Sequence, residues 1–420
     1  MRVTRGALPG PAHLNLAFDK PLEPRAAAGP CAVHQRVDQI LAEHRPSERA
    51  EAQLDQGLVL ELLQGFIESP GYHVVALGPV EPHLVPVGVE LARKLVAALV
   101  CELPDTRSSV DLDALVRRFS RADSDEKLNI LHLGPPMISS QWAELLKTKH
   151  VRHWVVCGPR YLEPSKTAQA VLQVDVKAAT LAMLAHLNQP NALLSRAGWR
   201  TFESETYDPS PALNALGKRS LSQRMAEPWA ALTILNAAHE AEQLFLGNSL
   251  SVRLAAWTKD AALGTKRAVY TSRGTNGIDG LIAQGAGLAR AHGKSTLVLL
   301  GDVAAAHDLT SLALLRHSTT PIVVVVLENQ GGMIFQHLPG AAMWNEVPKA
   351  KAFFTTPPEI DWQAAGQTYG ILVWDCSTLE ELASAIELTC ERPGPSLVIA
   401  RTDSSTTQLF LRHLRGESRQ

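Results

Sequence analysis

Three oxygen donors follow two apolar runs in the second half of the chain. Asp302 comes two residues after the first run, and Asn329 and Gly331 come two and four residues after the second. If the runs are neighbouring parallel strands, a carboxylate, an amide oxygen and a backbone carbonyl lie together at the sheet edge where such folds bind ligands. Three hard oxygens suit Mg²⁺, which completes its octahedral shell with water and phosphate oxygens. The same residues also fit two ordinary turns, and their spacing alone leaves both interpretations open.

The elements that would position these donors form a β-α-β unit. Residues 297–300 and 322–327 are continuous aliphatic runs, which is typical of strands buried on both faces of a sheet. Residues 309–316 have the apolar spacing of a helix that covers the sheet. Because the connection in such a unit is right-handed by default, the carboxyl ends of both strands are expected at the same edge.

Strands alternate with helices along most of the chain, which predicts an α/β fold with two parallel-sheet α/β domains. A chain of 420 residues exceeds one ordinary core, so two domains also fit its length. Helices are predicted over 34–67, 87–99 and 228–244. Further strands are predicted over residues 73–77, 128–133, 153–156, 244–246 and 396–400.

The composition argues against several classes of protein. With 40 basic and 42 acidic residues, the chain has no net charge that would attract nucleic acid or an anionic membrane. Its 15 histidines show no zinc-binding spacing, and its five cysteines are widely spaced in apolar surroundings, which indicates reduced thiols. No apolar run reaches the roughly 18 residues of a membrane span, and the N-terminus has no signal core. We therefore expect a soluble cytoplasmic protein, with a plastid protein as the alternative.

Four short blocks stand out in the second half of the chain. They are 247–253 (GNSLSVR), 272–280 (SRGTNGIDG), 301–309 (GDVAAAHDL) and 329–335 (NQGGMIF). In this order they resemble the thiamine diphosphate (ThDP) and Mg²⁺ signature of the ThDP-dependent enzymes. Within that group they resemble the 2-succinyl-5-enolpyruvyl-6-hydroxy-3-cyclohexene-1-carboxylate (SEPHCHC) synthases of menaquinone and phylloquinone biosynthesis. The resemblance is strong over residues 227–338 and weak across the middle of the chain.

The resemblance implies ThDP and Mg²⁺ as cofactors and a transferase or carboligase reaction. In that reaction 2-oxoglutarate loses carbon dioxide, and the succinyl-semialdehyde carbanion adds to isochorismate in a conjugate addition. Family sites need two chains, which implies a homo-oligomer, at least a homodimer. Two alternatives stay open, a diphosphate-domain subunit of another two-chain ThDP decarboxylase and a non-catalytic remnant that binds ThDP and Mg²⁺.

The resemblance also implies a role for individual residues. The metal ligands are the side chains of Asp302 and Asn329 and the carbonyl of Gly331. The residues expected to contact the cofactor are Gly301, Val303 and Ala304 at the diphosphate, Ile278 as the wedge that holds ThDP bent, and Asn248. The residues expected to contact substrates are Ser249, Arg253 and Arg273 at carboxylates, and Ile334, Phe335 and Leu338 at the cyclohexadiene ring.

The chemistry of the arginines suits the roles that the resemblance implies for them. A guanidinium binds a carboxylate through two parallel hydrogen bonds and stays ionised, which suits substrates with several carboxylates. The plain alternatives are a solvated surface charge for Arg253, a core isoleucine for Ile278, and a helix facing its own core for Ile334 and Phe335.

The chain departs from the family pattern at three places. Ala304 stands where a serine hydroxyl is common, so one donor to phosphate is missing. Ser140 and Gln141 stand where the family usually has a basic pair on the isochorismate side, which puts the second substrate in doubt. Glu328 is an unusual neighbour for Asn329, although its side chain could point away from the metal.

The start of the chain resembles the exit from the family's pyrimidine-binding domain, which carries the glutamate that activates ThDP. We predict a remnant of that exit and a linker at 1–30, a middle domain at 31–200, a linker at 201–227 and a diphosphate-binding domain at 228–420. Because the activating glutamate belongs to the pyrimidine domain, we expect no catalytic residue of that kind in this chain. Synthase activity is then expected only when a separate chain supplies a pyrimidine domain.

Overall fold

The computed structural model contains two parallel β-sheets, each covered by helices. It describes residues 54–103, 112–119, 125–158, 167–189, 198–202, 208–217, 224–262, 267–272, 277–337 and 348–414, together with Gln39, Ser108, Val110 and Ala341. Every strand pair in the described residues is parallel. The predicted fold class, two parallel-sheet α/β domains, is confirmed.

The first sheet has the strand order β2-β1-β3-β4-β5, with a short β6 paired to the start of β1. Its strands are β1 (Gly71–Leu77), β2 (Ala98–Cys101), β3 (Leu128–Leu133), β4 (Val151–Cys157), β5 (Ala170–Gln173) and β6 (Trp199–Arg200). The helices of this part are α1 (Gln56–Glu68), α2 (Val85–Leu95), α3 (Leu112–Phe119), α4 (Ser140–Leu146) and α5 (Val176–Leu187). The next helix, α6 (Ser210–Leu216), packs instead against the helix Ser405–Leu414 that follows the second sheet.

The second sheet has the order β12-β13-β11-β10-β8-β9, with β7 paired to the end of β13. Its strands are β7 (Met225–Ala226), β8 (Gln243–Leu246), β9 (Ala268–Thr271), β10 (Thr296–Gly301), β11 (Ile322–Glu328), β12 (Leu372–Cys376) and β13 (Pro395–Asp403). Its helices are α7 (Glu227–Ala237), α8 (Leu250–Thr258), α9 (Leu281–His292), α10 (Asp302–His307), α11 (Pro348–Thr355), α12 (Trp362–Tyr369), α13 (Leu379–Glu391) and α14 (Ser405–Leu414).

The core of the second sheet lies around β10 and β11, as their aliphatic runs predict. The side chains of residues 297–300 and 322–327 are at most 1% exposed. The segment between the two strands differs from the predicted single helix. It begins as the short helix α10 and continues as a 3₁₀ helix over Leu309–Leu315. Leu312 and Leu315 are its buried contacts with the sheet, so the predicted apolar face is present in a tighter helix.

Two predicted helices end earlier than their periodicity indicated. Helix α2 ends at Leu95 because Val96 adopts a left-handed conformation with φ 56°, and β2 begins two residues later. Helix α7 ends at Ala237 and passes into a short 3₁₀ turn before β8. The stretch 201–227, predicted as a linker, contains helix α6 and strand β7. The domain boundaries themselves stay predictions.

Four cysteines, Cys101, Cys157, Cys376 and Cys390, are buried thiols outside any disulfide. The fifth, Cys31, lies outside the described residues, as does the N-terminal segment 1–30. In the described part of the chain, no helix has both the length and the apolar character needed to cross a bilayer.

Candidate functional site

Three strand tips of the second sheet lie side by side and carry most of the candidate residues. Strand β10 pairs with β11 up to Gly301 opposite Leu327, and it pairs on its other side with β8. The backbone N–H of Gly247, just past β8, donates to the carbonyl of Leu299 at 2.8 Å. The blocks 247–249, 301–304 and 329–331 therefore share one edge of the sheet, as the β-α-β prediction requires.

Asp302 joins the second of these blocks, 301–304, to the third, 329–331. Its side chain is 1% exposed, and Oδ2 accepts a 2.8 Å hydrogen bond from the backbone N–H of Gly331. Its other oxygen, Oδ1, accepts from the N–H of Val303 at 2.8 Å. Burial raises the pKa of the Asp302 carboxyl to about 6, although the neighbouring N–H groups oppose the rise. A cation at this carboxylate would offset the cost of burying its charge.

Asn329 is the second predicted metal ligand, and the two polar atoms of its side-chain amide differ in their contacts. Its side chain is 8% exposed, and Nδ2 donates to Oε1 of Glu227 at 2.6 Å. Its Oδ1 is buried and has no hydrogen-bond partner among the residues that the structure describes. A buried amide oxygen without a partner is costly, and a metal ion would satisfy it.

Gly331 lies in the loop that follows Asn329 and has a conformation that only glycine adopts readily. Its φ is 123°, and a Cβ at this position would lie 2.2 Å from the carbonyl oxygen of Thr355. The next N–H, that of Gly332, donates to the same Thr355 oxygen at 2.6 Å. The carbonyl of Gly331 accepts from the N–H of Met333 at 2.8 Å, which leaves its second lone pair for a metal.

Glu227 is part of this site although the sequence analysis gave it no role. It is fully buried, with Oε1 bound to Asn329 and Oε2 accepting from the hydroxyl of Thr407 at 2.6 Å. Burial and the nearby carboxylates of Asp302 and Asp403 raise its pKa above the usual range. The contacts join residues 102 and 180 positions apart, so local spacing carries no signal for them.

The unusual Glu328 is held by arginines. Its carboxylate pairs with Arg224 and, at 2.9 Å, with Arg401. Arg401 also donates two hydrogen bonds, of 2.9 and 2.8 Å, to the carboxylate of Asp375. Arg224 donates in addition to the backbone carbonyls of Glu328 and Thr402, at 2.6 and 2.9 Å. The charge of Glu328 is thus compensated within the sheet edge that carries Asn329.

The residues predicted at the diphosphate lie beside Asp302. Gly301 is the last residue of β10, and Val303 and Ala304 are in the first turn of α10. Ala304 is buried, and its methyl group offers no hydrogen-bond donor where the family commonly has a serine hydroxyl. On the next strand tip, Asn248 donates through Nδ2 to the carbonyl of Gly277 at 3.2 Å. This bond brings Ile278, which packs half-buried on the sheet, to the same edge.

The predicted carboxylate-binding residues have other contacts in this structure. Ser249 has φ 73°, a left-handed conformation that serine rarely adopts, at the start of α8. Its carbonyl accepts a 2.7 Å hydrogen bond from Nη1 of Arg253. Arg253 also lowers the pKa of Glu102, so the two side chains are electrostatic neighbours. Arg273 lies outside the described residues.

The predicted apolar contacts follow Gly332 in a 3₁₀ helix, Met333–His337. Ile334 is half-buried against the hydrophobic core, in agreement with the plain core interpretation. Phe335 is 40% exposed, and its ring centroid lies 6.3 Å from that of Phe354. Leu338 lies outside the described residues.

In the first domain, an acidic residue contacts the backbone just before the two positions where a basic pair was expected. The Glu102 carboxylate accepts from the backbone N–H groups of Ile138 and, at 2.8 Å, Ser139, just before the positions of Ser140 and Gln141. Burial raises its pKa to about 7, while Lys259 and Arg253 of the second domain oppose the rise. Ser139 and Glu102 line a small cavity with Lys259 and Trp257.

The residues present fit a Mg²⁺ ion that fastens a diphosphate. The vacant Oδ1 of Asn329 and the Asp302 carboxylate, tied to Gly331 at 2.8 Å, supply hard oxygen donors on adjacent strand tips. The glycine-only loop adds a carbonyl without a side chain that would block the approach.

Comparison with known proteins supports this interpretation. Residues 255–400 match the family described as "Thiamine pyrophosphate enzyme, C-terminal TPP binding domain". A SEPHCHC synthase of Chlorobium chlorochromatii is 30% identical over 288 residues, which cover 68% of this chain and 47% of that protein. A SEPHCHC synthase of Sorangium cellulosum is 28% identical, with 93% of this chain and 67% of that protein covered. The chain thus spans about half to two thirds of these relatives.

Solved structures with the same fold include the ThDP-dependent 4-hydroxybenzoylformate decarboxylase of Rhodococcus jostii RHA1. The TM-score is 0.59 at 15% sequence identity, and the match covers 86% of this chain and 67% of that one. At this identity the likeness concerns the fold alone. The family match over residues 255–400 and the sequence relatives make ThDP, with Mg²⁺ as its companion ion, the cofactor of the second domain. The chain is a member of the ThDP-dependent enzymes and a homologue of the SEPHCHC synthases.

Proposed function

We propose that Asp302, Asn329 and the carbonyl of Gly331 bind the Mg²⁺ that holds the ThDP diphosphate at the edge of the second sheet. The observation that carries this proposal is the buried, unpartnered Oδ1 of Asn329, on the strand tip next to a carboxylate tied to Gly331. Backbone groups of Gly301, Val303 and Ala304 line the diphosphate, and Asn248 and Ile278 lie on the thiazolium side of the same edge. Bound ThDP supplies an electron sink for the decarboxylation of 2-oxo acids.

The reaction proposed for this site is that of the SEPHCHC synthases. In that reaction 2-oxoglutarate loses carbon dioxide, and the remaining four-carbon unit is joined to isochorismate by conjugate addition. Ser249, Arg253 and Arg273 orient substrate carboxylates, and Ile334, Phe335 and Leu338 exclude water from the acceptor ring. Arg253 donates to the Ser249 carbonyl and acts electrostatically on Glu102, so a substrate carboxylate would compete for its guanidinium. The reaction requires a pyrimidine-binding domain, in a homo-oligomer or on a separate chain.

A second candidate is a ThDP decarboxylase or carboligase with a different acceptor. The acidic Glu102 beside Ser140 and Gln141, in place of a basic pair, favours this alternative because it removes positive charge from a site for anions. An activity assay decides between the two candidates. It uses the purified chain together with the pyrimidine-binding domain of a SEPHCHC synthase. Consumption of 2-oxoglutarate with isochorismate supports the first candidate. Carbon dioxide release from 2-oxoglutarate without isochorismate consumption supports the second.

The metal site is tested by calorimetric titration of ThDP in the presence of Mg²⁺ or of a chelator. Binding is expected with Mg²⁺ only, and Asp302→Asn is expected to abolish it because the anionic ligand is lost. A matched control is Asp361→Asn, which changes an exposed aspartate that caps α12 in the same domain. Equal ThDP affinity in a chelator, or normal binding by D302N, would refute the proposed function.

A further inference from the structure

The side-chain amide of Asn329 can present either its oxygen or its nitrogen to the metal site, and only the oxygen can bind a cation. The orientation is set by the group at the other end of the amide. That group is Oε1 of Glu227, 2.6 Å from Nδ2. Both oxygens of Glu227 accept hydrogen bonds in the structure, Oε1 from Asn329 and Oε2 from Thr407, so the reversed amide would place two acceptors against each other.

Glu227 is fixed from three directions. It is the first residue of α7, and its backbone N–H donates to the hydroxyl of Thr406 at 3.0 Å. Its Oε2 accepts from Thr407, and Thr406 and Thr407 lie in the first turn of α14. Its side chain is 0% exposed. A carboxylate held at both oxygens and at its own backbone has little freedom to turn away from Asn329.

The position of Glu227 has effects that favour a charged carboxylate and effects that oppose it. Glu227 lies at the N-terminus of its own helix and beside that of α14, and both helix dipoles favour an anion there. The opposing effects are burial and the nearby carboxylates of Asp302 and Asp403. A group that costs energy to bury and yet is bound at both oxygens is unlike an ordinary core residue.

We propose that Glu227 is a positioning residue that turns the Asn329 amide oxygen toward the metal, with Thr407 holding the carboxylate in place. This inference rests on the proposed function, because it concerns the same metal. Partners of this kind in metal sites typically change metal affinity by about 10- to 100-fold when they are removed. Glu227 is expected to act on the ion through Asn329 and not to touch the ion or the cofactor itself.

The test measures binding of Mn²⁺, as a spin-active substitute for Mg²⁺, to the full chain in the presence of ThDP. Free Mn²⁺ is counted by electron paramagnetic resonance. Glu227→Leu removes the acceptor, and we expect Mn²⁺ binding to weaken by about 10- to 100-fold. Glu227→Gln keeps an acceptor for Asn329, since its amide can donate to the Thr407 hydroxyl. Its affinity should lie closer to the wild type than to E227L.

The matched control is Thr389→Val, which removes a fully buried hydroxyl that bonds only to its own helix, at the carbonyls of Ala385 and Ile386. Its Mn²⁺ affinity should equal the wild type even if its stability falls. A second readout needs no metal. It uses protein labelled with ¹⁵N at asparagine side chains, in which the Asn329 amide signal is identified by its loss in N329A. The Asn329 amide protons should be protected from exchange with water in the wild type, and this protection should be lost in E227L.

The outcomes separate the two proposals. Weak Mn²⁺ binding by E227L, with T389V normal and E227Q near the wild type, supports the positioning role. Wild-type affinity in E227L with no binding in D302N overturns the positioning role and leaves the proposed function intact. An Asn329 amide that is equally protected in wild type and E227L also overturns it. Wild-type Mn²⁺ affinity in D302N overturns both.

Discussion

Replacing Gly331 by alanine perturbs the loop on which the metal site depends. Alanine at φ 123° carries backbone strain of about 1–3 kcal/mol. Its Cβ would lie 2.2 Å from the carbonyl oxygen of Thr355, which is backbone and cannot rotate away. The loop must therefore shift. The shift weakens the bond from the Gly331 N–H to Asp302 and the 2.6 Å bond from Gly332 to Thr355.

The expected cost is about 3 kcal/mol or more, because a hydrogen bond to a charged group contributes about 1.5–3 kcal/mol and the backbone strain adds to its loss. Urea unfolding followed by circular dichroism measures the change, and ThDP titration with Mg²⁺ should show that binding is lost. Two glycines serve as controls. Gly332 has no positive φ, and a Cβ there meets the Phe335 ring at 3.2 Å, so G332A should cost less. Gly287, in α9, has nothing within 4 Å of a Cβ, and G287A should stabilise by roughly 0.5–1 kcal/mol.

The reasoning would be refuted by a G331A variant that unfolds at the wild-type urea concentration and binds ThDP with Mg²⁺ normally. It would also be refuted if G332A were the more damaging of the two substitutions. Either result would mean that the loop conformation is not set by the approach of Thr355, and that the donors do not depend on it.

Two further substitutions test other parts of the structure. Burial raises the pKa of Glu102 from 4.5 to about 7, so the unfolded chain releases this proton at lower pH than the native protein does. Stability should therefore fall by about 3 kcal/mol as the pH rises from 4.5 to 7, and Glu102→Gln should remove that part of the pH dependence in urea unfolding at several pH values. Asp308 accepts from the N–H groups of Ile282 and Ala283, at 2.7 and 3.0 Å, at the start of α9. Asp308→Ala should cost about 2–4 kcal/mol in thermal unfolding and Asp308→Asn less, and equal midpoints would contradict the capping role.

The central β-α-β unit could be predicted because its signal is local. Runs such as 297–300 and 322–327 are long and purely aliphatic, and few structures other than a doubly buried strand need such a run. The polar residues at their ends then follow from parallel pairing, which puts Asp302 beside the loop of Gly331. The short strands β2, β5, β6, β7, β9 and β12 were missed because two to five residues carry too little periodicity to stand out.

The orienting part of the site could not be predicted in the same way. Glu227 reads as an acidic residue in the first turn of a helix, and Thr407 as a polar residue near the end of the chain. Their relation to Asn329 arises only when β7 pairs with the end of β13, at Met225 opposite Thr402. Likewise, no local pattern shows that Glu102 of the first sheet lies near Lys259 and Arg253 of the second.

The contact of Glu227 with both Asn329 and Thr407 has a consequence for biosynthesis. The carboxylate leaves the ribosome long before the threonine, which follows it by 180 residues. The segments of β8, β10 and β11 also precede Thr407 in the chain, so they are synthesised while the glutamate still lacks the hydroxyl that α14 supplies. A premature stop codon shortly before residue 405 would thus spare every predicted magnesium ligand and still leave their support incomplete.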